Sequence, residues 1–448
     1  MSDPVESEES GSLSIWITVG SIIACAITGY LWYSTDNTAI AITCLLLQTV
    51  LVSLVIWQAC DPFADAAQYI GHVLKLPGSV RGATLDAVAS SMPELFTGIF
   101  FVLLVAFSAD SSQLDSATAE MTGEGFKATI ATCAGSAVYN MILIPAICAI
   151  FISYYRKSRP TIDVEHRVIT RDGLWFVAME VMLITFLVQQ NIYWWMGVIF
   201  LLSYVAYVMV LYFDARRFQS KMKLVEDAIV GGKTATEAIE ELRGQGHTIS
   251  RDLERRFEIG EEDEDENEEP DTAGVFYGMF DVKLNMLTAW IIIFISTIVA
   301  ASACYWLVEI TTETANKLEI PIFFVAVILA AAASSVPDTF LSIGSAKSGD
   351  DDGAVSNAFG SNIFDISICI SIPLLVASYM NGWEPIVIEQ STSIVGLQIM
   401  LAVLTVVTLG TIWHKLQLTR GKAFFLCGLY GLFILYAVLG STGLFGKI

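Results

Sequence analysis

The chain has 448 residues, a net charge of −22, an apolar content of 54% and a mean hydropathy of +0.62. Apolar windows of about 20 residues recur along nearly its whole length, which marks a polytopic helical membrane protein and excludes a soluble fold. The acidic balance excludes nucleic acid as a partner, and the eight cysteines, placed singly in apolar runs without CxxC or Cys/His spacing, read as packing residues rather than disulfides or a zinc site.

The first twelve residues are acidic and polar, with Asp3, Glu6, Glu8 and Glu9 where a secretory signal would be basic, so the apolar span from Leu13 to Tyr33 is predicted to be a retained helix. A second span runs from Ala39 to Ala59, and a short amphipathic connection from Asp61 to Ser79 leads to a third, Ala83 to Ala106. This third span holds Ser90-Ser91-Met92-Pro93-Glu94, a polar box with a carboxylate inside an apolar helix. An ionisable group there costs roughly 2.5–3.5 kcal/mol on insertion scales, so it marks a site by default. An acidic loop, Ser108 to Gly125, follows. The span Phe126 to Tyr154 contains Gly135-Ser136-Ala137-Val138-Tyr139-Asn140, and two more, Leu174 to Val188 and Trp194 to Tyr212, close the first half. From Asp214 to Asp281 the chain is polar and ends in the acidic run Glu261 to Glu269, read as a solvated segment with calcium sensing as the minor alternative.

The second half repeats this order. A span from Leu284 to Val308 precedes Ile320 to Ser345, which carries Ser334-Ser335-Val336-Pro337-Asp338. The next, Ala354 to Ala377, carries Gly360-Ser361-Asn362-Ile363-Phe364-Asp365, and Ile394 to Trp413 and Phe424 to Leu444 complete the set. The predicted fold is an all-α membrane protein, a ten-helix inverted-topology repeat (5+5) plus one extra N-terminal transmembrane helix. Its divisions are 1–37, 38–213, an acidic cytoplasmic loop at 214–281, and 282–448. Orientation follows from the basic residues. A cytoplasmic N-terminus puts Arg156 to Arg171, Arg216 to Lys223 and His414 to Lys422 inside, leaving only Lys127, Lys317 and Lys447 outside. Five crossings then separate the two boxes, so the boxed helices run in opposite directions and their site belongs at the midplane.

On a helix, Ser90, Ser91 and Glu94 share one face, as do Ser334, Ser335 and Asp338. Pro93 and Pro337 lack an N–H, which is expected to free the carbonyls of Ala89 and Ala333 and kink both helices. Ser136 and Asn140, like Ser361 and Asp365, stand four apart, and Gly135 and Gly360 allow close helix approach. The donor set is entirely hard oxygen, suited to calcium and sodium rather than a transition metal. Asp86, eight residues before Glu94, either lines the pathway or pairs with Arg81. Glu180 is left without a role.

These segments, with Gly82-Ala83-Thr84 before the first box, resemble the alpha repeats of the cation/calcium antiporter superfamily, and within it sodium/calcium exchangers of the potassium-dependent branch. The likeness spans all ten repeat helices. It implies calcium held chiefly by Glu94 and Asp338 with help from Ser90 and Ser334. It also implies sodium sites shared among Ser91, Ser136, Asn140, Ser335, Ser361 and Asp365, and potassium co-transport through Asp365. Alanines 89 and 333 stand where the family usually has glycine, and Asp86 stands where it commonly has an apolar residue. The expected function is antiport of sodium against calcium, without enzyme activity or a prosthetic group, in a plasma membrane. Its partners are inorganic cations and the lipid bilayer; the oligomeric state is unassigned. A calcium/proton antiporter on the same scaffold is the alternative, and a cation channel, which would gather its acids by oligomeric symmetry, is the rival from another class.

Overall fold

A computed structural model of the chain describes residues 4–107, 116–157, 159–250, 253–254, 257, 272–275, 280–388 and 392–442. Its helices, in chain order, are α1 (Pro4–Ser34), α2 (Thr38–Val73), α3 (78–107), α4 (116–155), α5 (166–187), α6 (Trp194–Val230), α7 (Ala235–Gly244), α8 (Met286–Leu318), α9 (322–347), α10 (351–380), α11 (Thr392–Trp413) and α12 (Arg420–Ser441). Among the described residues, 9 helices are long and apolar enough to cross a membrane. Of the two other predicted spans, the Leu174 segment is the apolar end of α5, and α1 contributes the shorter apolar stretch Val19–Ser34.

Three boundaries differ from the sequence reading. The connection expected after Ala59 is helix, because α2 runs on through Pro62 to Val73. Its extension buries Phe63, Ala64, Ala66, Ala67 and Ile70 against neighbouring apolar side chains, which the weak amphipathic pattern did not reveal. α6 likewise continues past Tyr212 to Val230 and packs on α7 through Phe218, Met222, Val225, Ile239 and Leu242. The polar segment therefore starts with a small apolar core of its own. Residues 116–125, expected in an acidic loop, belong to α4; the acidic run 261–269 lies outside the described residues.

The two halves share several local features. Asparagine caps both α2 and α8: Asn37 Oδ1 accepts from Ala39 N and Ile40 N, and Asn285 Oδ1 from Leu287 N and Thr288 N. These two helices run antiparallel. Gln48 Oε1 accepts from Trp306 Nε1 at 2.7 Å near one end, and Ala66 and Ile70 pack with Ala289 and Ile292 at the other. A single π turn precedes each box, at Gly82–Asp86 in α3 and Ala326–Ala330 in α9, ending eight residues before the box acid in both. Two short antiparallel strand pairs tie the halves together. Ile162–Asp163 pairs with Gln417–Leu418, and Asn191–Ile192 with Ile386–Val387, so each links a loop beside α5 to a loop beside α11.

The close approach predicted at the glycines is also doubled. A Cβ on Gly135 would lie 2.2 Å from Val327 O, and one on Gly360 would lie 2.7 Å from Ala83 Cα. Ala83 and Val327 occupy corresponding positions, each eleven residues before its box acid. Thus α3 presses on α10, and α4 on α9, where a side chain would hold the helices apart.

Candidate ion-binding site

The boxed helices differ in how they present their oxygens. α9 leaves helical geometry at Ser335 (φ −87°, ψ 2°) and restarts at Val336, with Pro337 in the first turn, where a missing N–H leaves no helical bond unmade. α3 is continuous through Pro93. Kinks are expected at both prolines; a break in helical geometry beside the proline is found in the second half, at Ser335, while the first boxed helix stays helical through Pro93. A helix that restarts just before Asp338 places that acid in a first turn, where the orphan N–H groups and the helix dipole favour negative charge.

All ten sequence-predicted residues, Ser90, Ser91, Glu94, Ser136, Asn140, Ser334, Ser335, Asp338, Ser361 and Asp365, are fully buried at 0% exposure. Ser136 Oγ is the hub of the cluster. It lies 2.8 Å from Asp365 Oδ2, 3.2 Å from Glu94 Oε1 and 2.8 Å from Ser335 Oγ. Ser335 Oγ in turn donates to Glu94 Oε1 at 3.0 Å, so an acid from the first half is held by a hydroxyl from the second. The reciprocal arrangement surrounds Asp338. Asn140 Nδ2 donates to its Oδ2 at 3.2 Å, Ser361 Oγ donates to its Oδ1 at 2.6 Å, and Ser90 Oγ lies 3.3 Å from Ser361 Oγ. Ser334 stands beside Glu94, although its hydroxyl donates to Ala331 O in its own helix.

Glu94 Oε2 and Asn140 Oδ1 are buried acceptors without a hydrogen-bond donor among the described residues. A buried acceptor left bare costs about 1–3 kcal/mol, more for a charged group, so both call for a cation or a water. Among the described residues, no three acid, histidine or cysteine side chains gather closely enough to hold a metal by themselves. An ion at this point would draw on hydroxyl and amide oxygens together with the carboxylates, the mixture that calcium accepts at 2.3–2.6 Å.

A family model for the sodium/calcium exchanger protein matches residues 44–213 and 288–439. The chain belongs to that family. It is similar to sodium/potassium/calcium exchanger 5 of Homo sapiens, at 26% identity over 370 residues covering 73% of this chain and 69% of the relative. Sodium/potassium/calcium exchanger 4 of Mus musculus is 22% identical over 518 residues, covering 86% of this chain and 79% of the relative. Two solved structures share the fold. A crystal structure of an H+/Ca2+ exchanger, CAX, superposes with a TM-score of 0.60 at 12% identity, covering 97% of this chain and 94% of that one. A structure of the sodium-calcium exchanger NCX_Mj does so with a TM-score of 0.51 at 16% identity, covering 87% and 98% respectively.

The exchanger also buries polar groups that the motifs did not single out. Cys369, one turn beyond Asp365, places Sγ 3.7 Å from Asp365 Oδ1 and 3.6 Å from Ser91 O. Asn357, one turn before Ser361, donates through Nδ2 to Ser342 Oγ at 3.0 Å and to Asp338 O at 3.4 Å. Both continue a spacing of four through Ser361 and Asp365, a signal present in the sequence once the stripe is extended at its ends. Tyr139 and Thr339 meet across the halves at 3.1 Å. Asp86 pairs with Arg81, whose Nε lies 3.2 Å from Asp86 Oδ2. Glu180 is buried in α5 facing Thr405 of α11, apart from the cluster.

Proposed function

We propose that this exchanger is a secondary active antiporter that carries sodium one way and calcium the other across a plasma membrane by alternating access. The observation that carries this reading is the convergence of Glu94 and Asp338, from the two halves, on shared hydroxyl and amide partners in a fully buried cluster. An empty pocket of carboxylates is costly to enclose, whereas one neutralised by cations is not. Calcium and sodium therefore compete for one set of oxygens, and only an occupied cluster crosses. In this reading Glu94 and Asp338 ligate calcium with help from Ser90 and Ser334. Sodium uses Ser91, Ser136, Asn140, Ser335, Ser361 and Asp365.

Residues 38–213 and 282–448 act as the two inverted units, with the N-terminus and residues 214–281 on the cytoplasmic side. The α2/α8 pair, sliding against the core of α3, α4, α9 and α10, provides the gate. Glu94, Asp338 and Asp365 together carry −3, which calcium and one monovalent cation balance; sodium, a proton or potassium satisfies that count equally, and the likeness to sodium/potassium/calcium exchangers is what makes potassium the co-transported ion in this reading. Radioactive calcium uptake into vesicles under an imposed sodium gradient, compared with an imposed proton gradient, tests the reading. Uptake driven by sodium supports it, and uptake driven only by protons replaces it with calcium/proton antiport.

A further inference from the structure

Two buried acceptors on facing helices are not among the ten residues of the cluster, which Asn357 adjoins through its bond to Asp338 O. Asp86 is 1% exposed; its Oδ2 takes the bond from Arg81, and its Oδ1 has no donor among the described residues. Asn357 is fully buried, its amide nitrogen is used by Ser342 and Asp338, and its Oδ1 also has no donor.

Their placement follows from contacts between α3 and α10. A Cβ on Gly82 would lie 2.5 Å from Gly353 O and 3.3 Å from Asn357 N, while Ser90 Oγ lies 3.3 Å from Ser361 Oγ. Asp86 stands between those two contacts on α3, and Asn357 stands one turn before Ser361 on α10. Asn357 is thus level with Gly82, one turn before Asp86 on α3, and both residues lie between the central cluster and the helix starts at Gly78 and Asp351. This region begins at the π turn Gly82–Asp86, a local irregularity often found at functional positions.

Charge selects the ligand. Arg81 bridges Asp86 to Asp350, with its Nη2 3.0 Å from Asp350 Oδ2. Two carboxylates and one guanidinium leave a charge of −1, which a monovalent cation balances and a divalent one overshoots. Carboxylate and amide oxygens suit a hard ion such as sodium. The counterpart of Asp86 in the second half is Ala330, eight residues before Asp338, so the feature exists on one side of the cluster only.

We propose that Asp86 and Asn357 form a sodium subsite on the cytoplasmic side of the central cluster, a station in series with it. The assignment of sides rests on the antiport reading above. It predicts an asymmetry that a structural role would not produce. In vesicles of defined orientation, Asp86→Asn and Asn357→Leu each raise the half-saturating sodium concentration at the cytoplasmic face at least fivefold and leave the outer one within twofold. Asp86→Glu, which keeps the charge, retains the parental cytoplasmic value within twofold. An equal shift at both faces, or no shift, overturns the proposal and leaves these oxygens to structure or to water. If Asp86→Asn does not insert, Asn357→Leu carries the test. If the parent shows no sodium-driven calcium flux, the antiport reading fails by itself. The subsite is then decided by radioactive sodium binding to the purified protein: one ion fewer in Asn357→Leu supports it, and an unchanged count overturns it.

Discussion

Replacing Asp365 by asparagine tests the charge balance of the cluster. Asp365 is fully buried, its Oδ2 receives Ser136 Oγ at 2.8 Å, and the amide has almost the same shape, so the perturbation is essentially one unit of charge. The cluster falls from −3 to −2, which calcium alone balances. A unit charge about 4 Å from a monovalent ion contributes about 4 kcal/mol at an effective dielectric constant near 20. Its loss corresponds to about a thousandfold in affinity, at about 1.4 kcal/mol for each factor of ten. Potassium should therefore no longer bind at accessible concentrations, while calcium, which balances the remaining −2 alone, still binds through Glu94 and Asp338 and is carried without it. The assay is sodium-driven calcium flux in reconstituted vesicles, with potassium present or replaced by a large organic cation. The parent should depend on potassium and Asp365→Asn should not. An unchanged potassium dependence in the variant, or potassium-independent flux in the parent, would refute the reasoning.

Glu94→Gln and Asp338→Asn should each abolish calcium flux in folded, inserted protein, because each removes a charge that its partners from the other half are arranged to share; flux near the parental level in either sinks the ligand assignment. Gly135→Val should lower the thermal stability of the purified protein by about 1–3 kcal/mol or more, since its Cβ would meet Val327 O at 2.2 Å, and an unchanged melting temperature would show that α4 and α9 can separate freely. Deleting residues 261–269 should leave maximal flux intact, because the run has the composition of a solvated segment and, although Asp263, Asp265 and Asn267 are spaced like the first ligands of an EF-hand loop, it has Glu268 where that loop needs glycine and Gly274 where it needs its bidentate glutamate; loss of calcium activation on deletion would assign it a sensing role.

Which residues would gather in the buried polar cluster was legible because they recur at fixed spacing in two places, and spacing on a helix determines which oxygens share a face. Burial of all ten follows from an apolar chain folding around its few intramembrane acids. The bonds across the halves, such as Ser335 to Glu94 and Asn140 to Asp338, were not legible, since they depend on how α3, α4, α9 and α10 cross. The two prolines looked equivalent in sequence, yet only Pro337 begins a helix, because the backbone turns out of the helix at Ser335 and has no such break at Ser91. The helical extensions to Val73 and Val230 escaped notice for a different reason. The first makes its apolar contacts with α8, distant in sequence, and the second with α7, the helix that follows it, whereas local hydropathy reads both extensions as polar connections.

The central claim, that sodium and calcium exchange through one shared cluster, is tested most directly by following both ions in the same vesicles. Vesicles loaded with radioactive sodium and with more free calcium than the medium should release sodium as labelled calcium from the medium enters against its gradient. Both movements should stop together in Glu94→Gln. Sodium release that continues in that variant at the parental rate, or calcium entry unaccompanied by sodium release in the parent, would contradict the account.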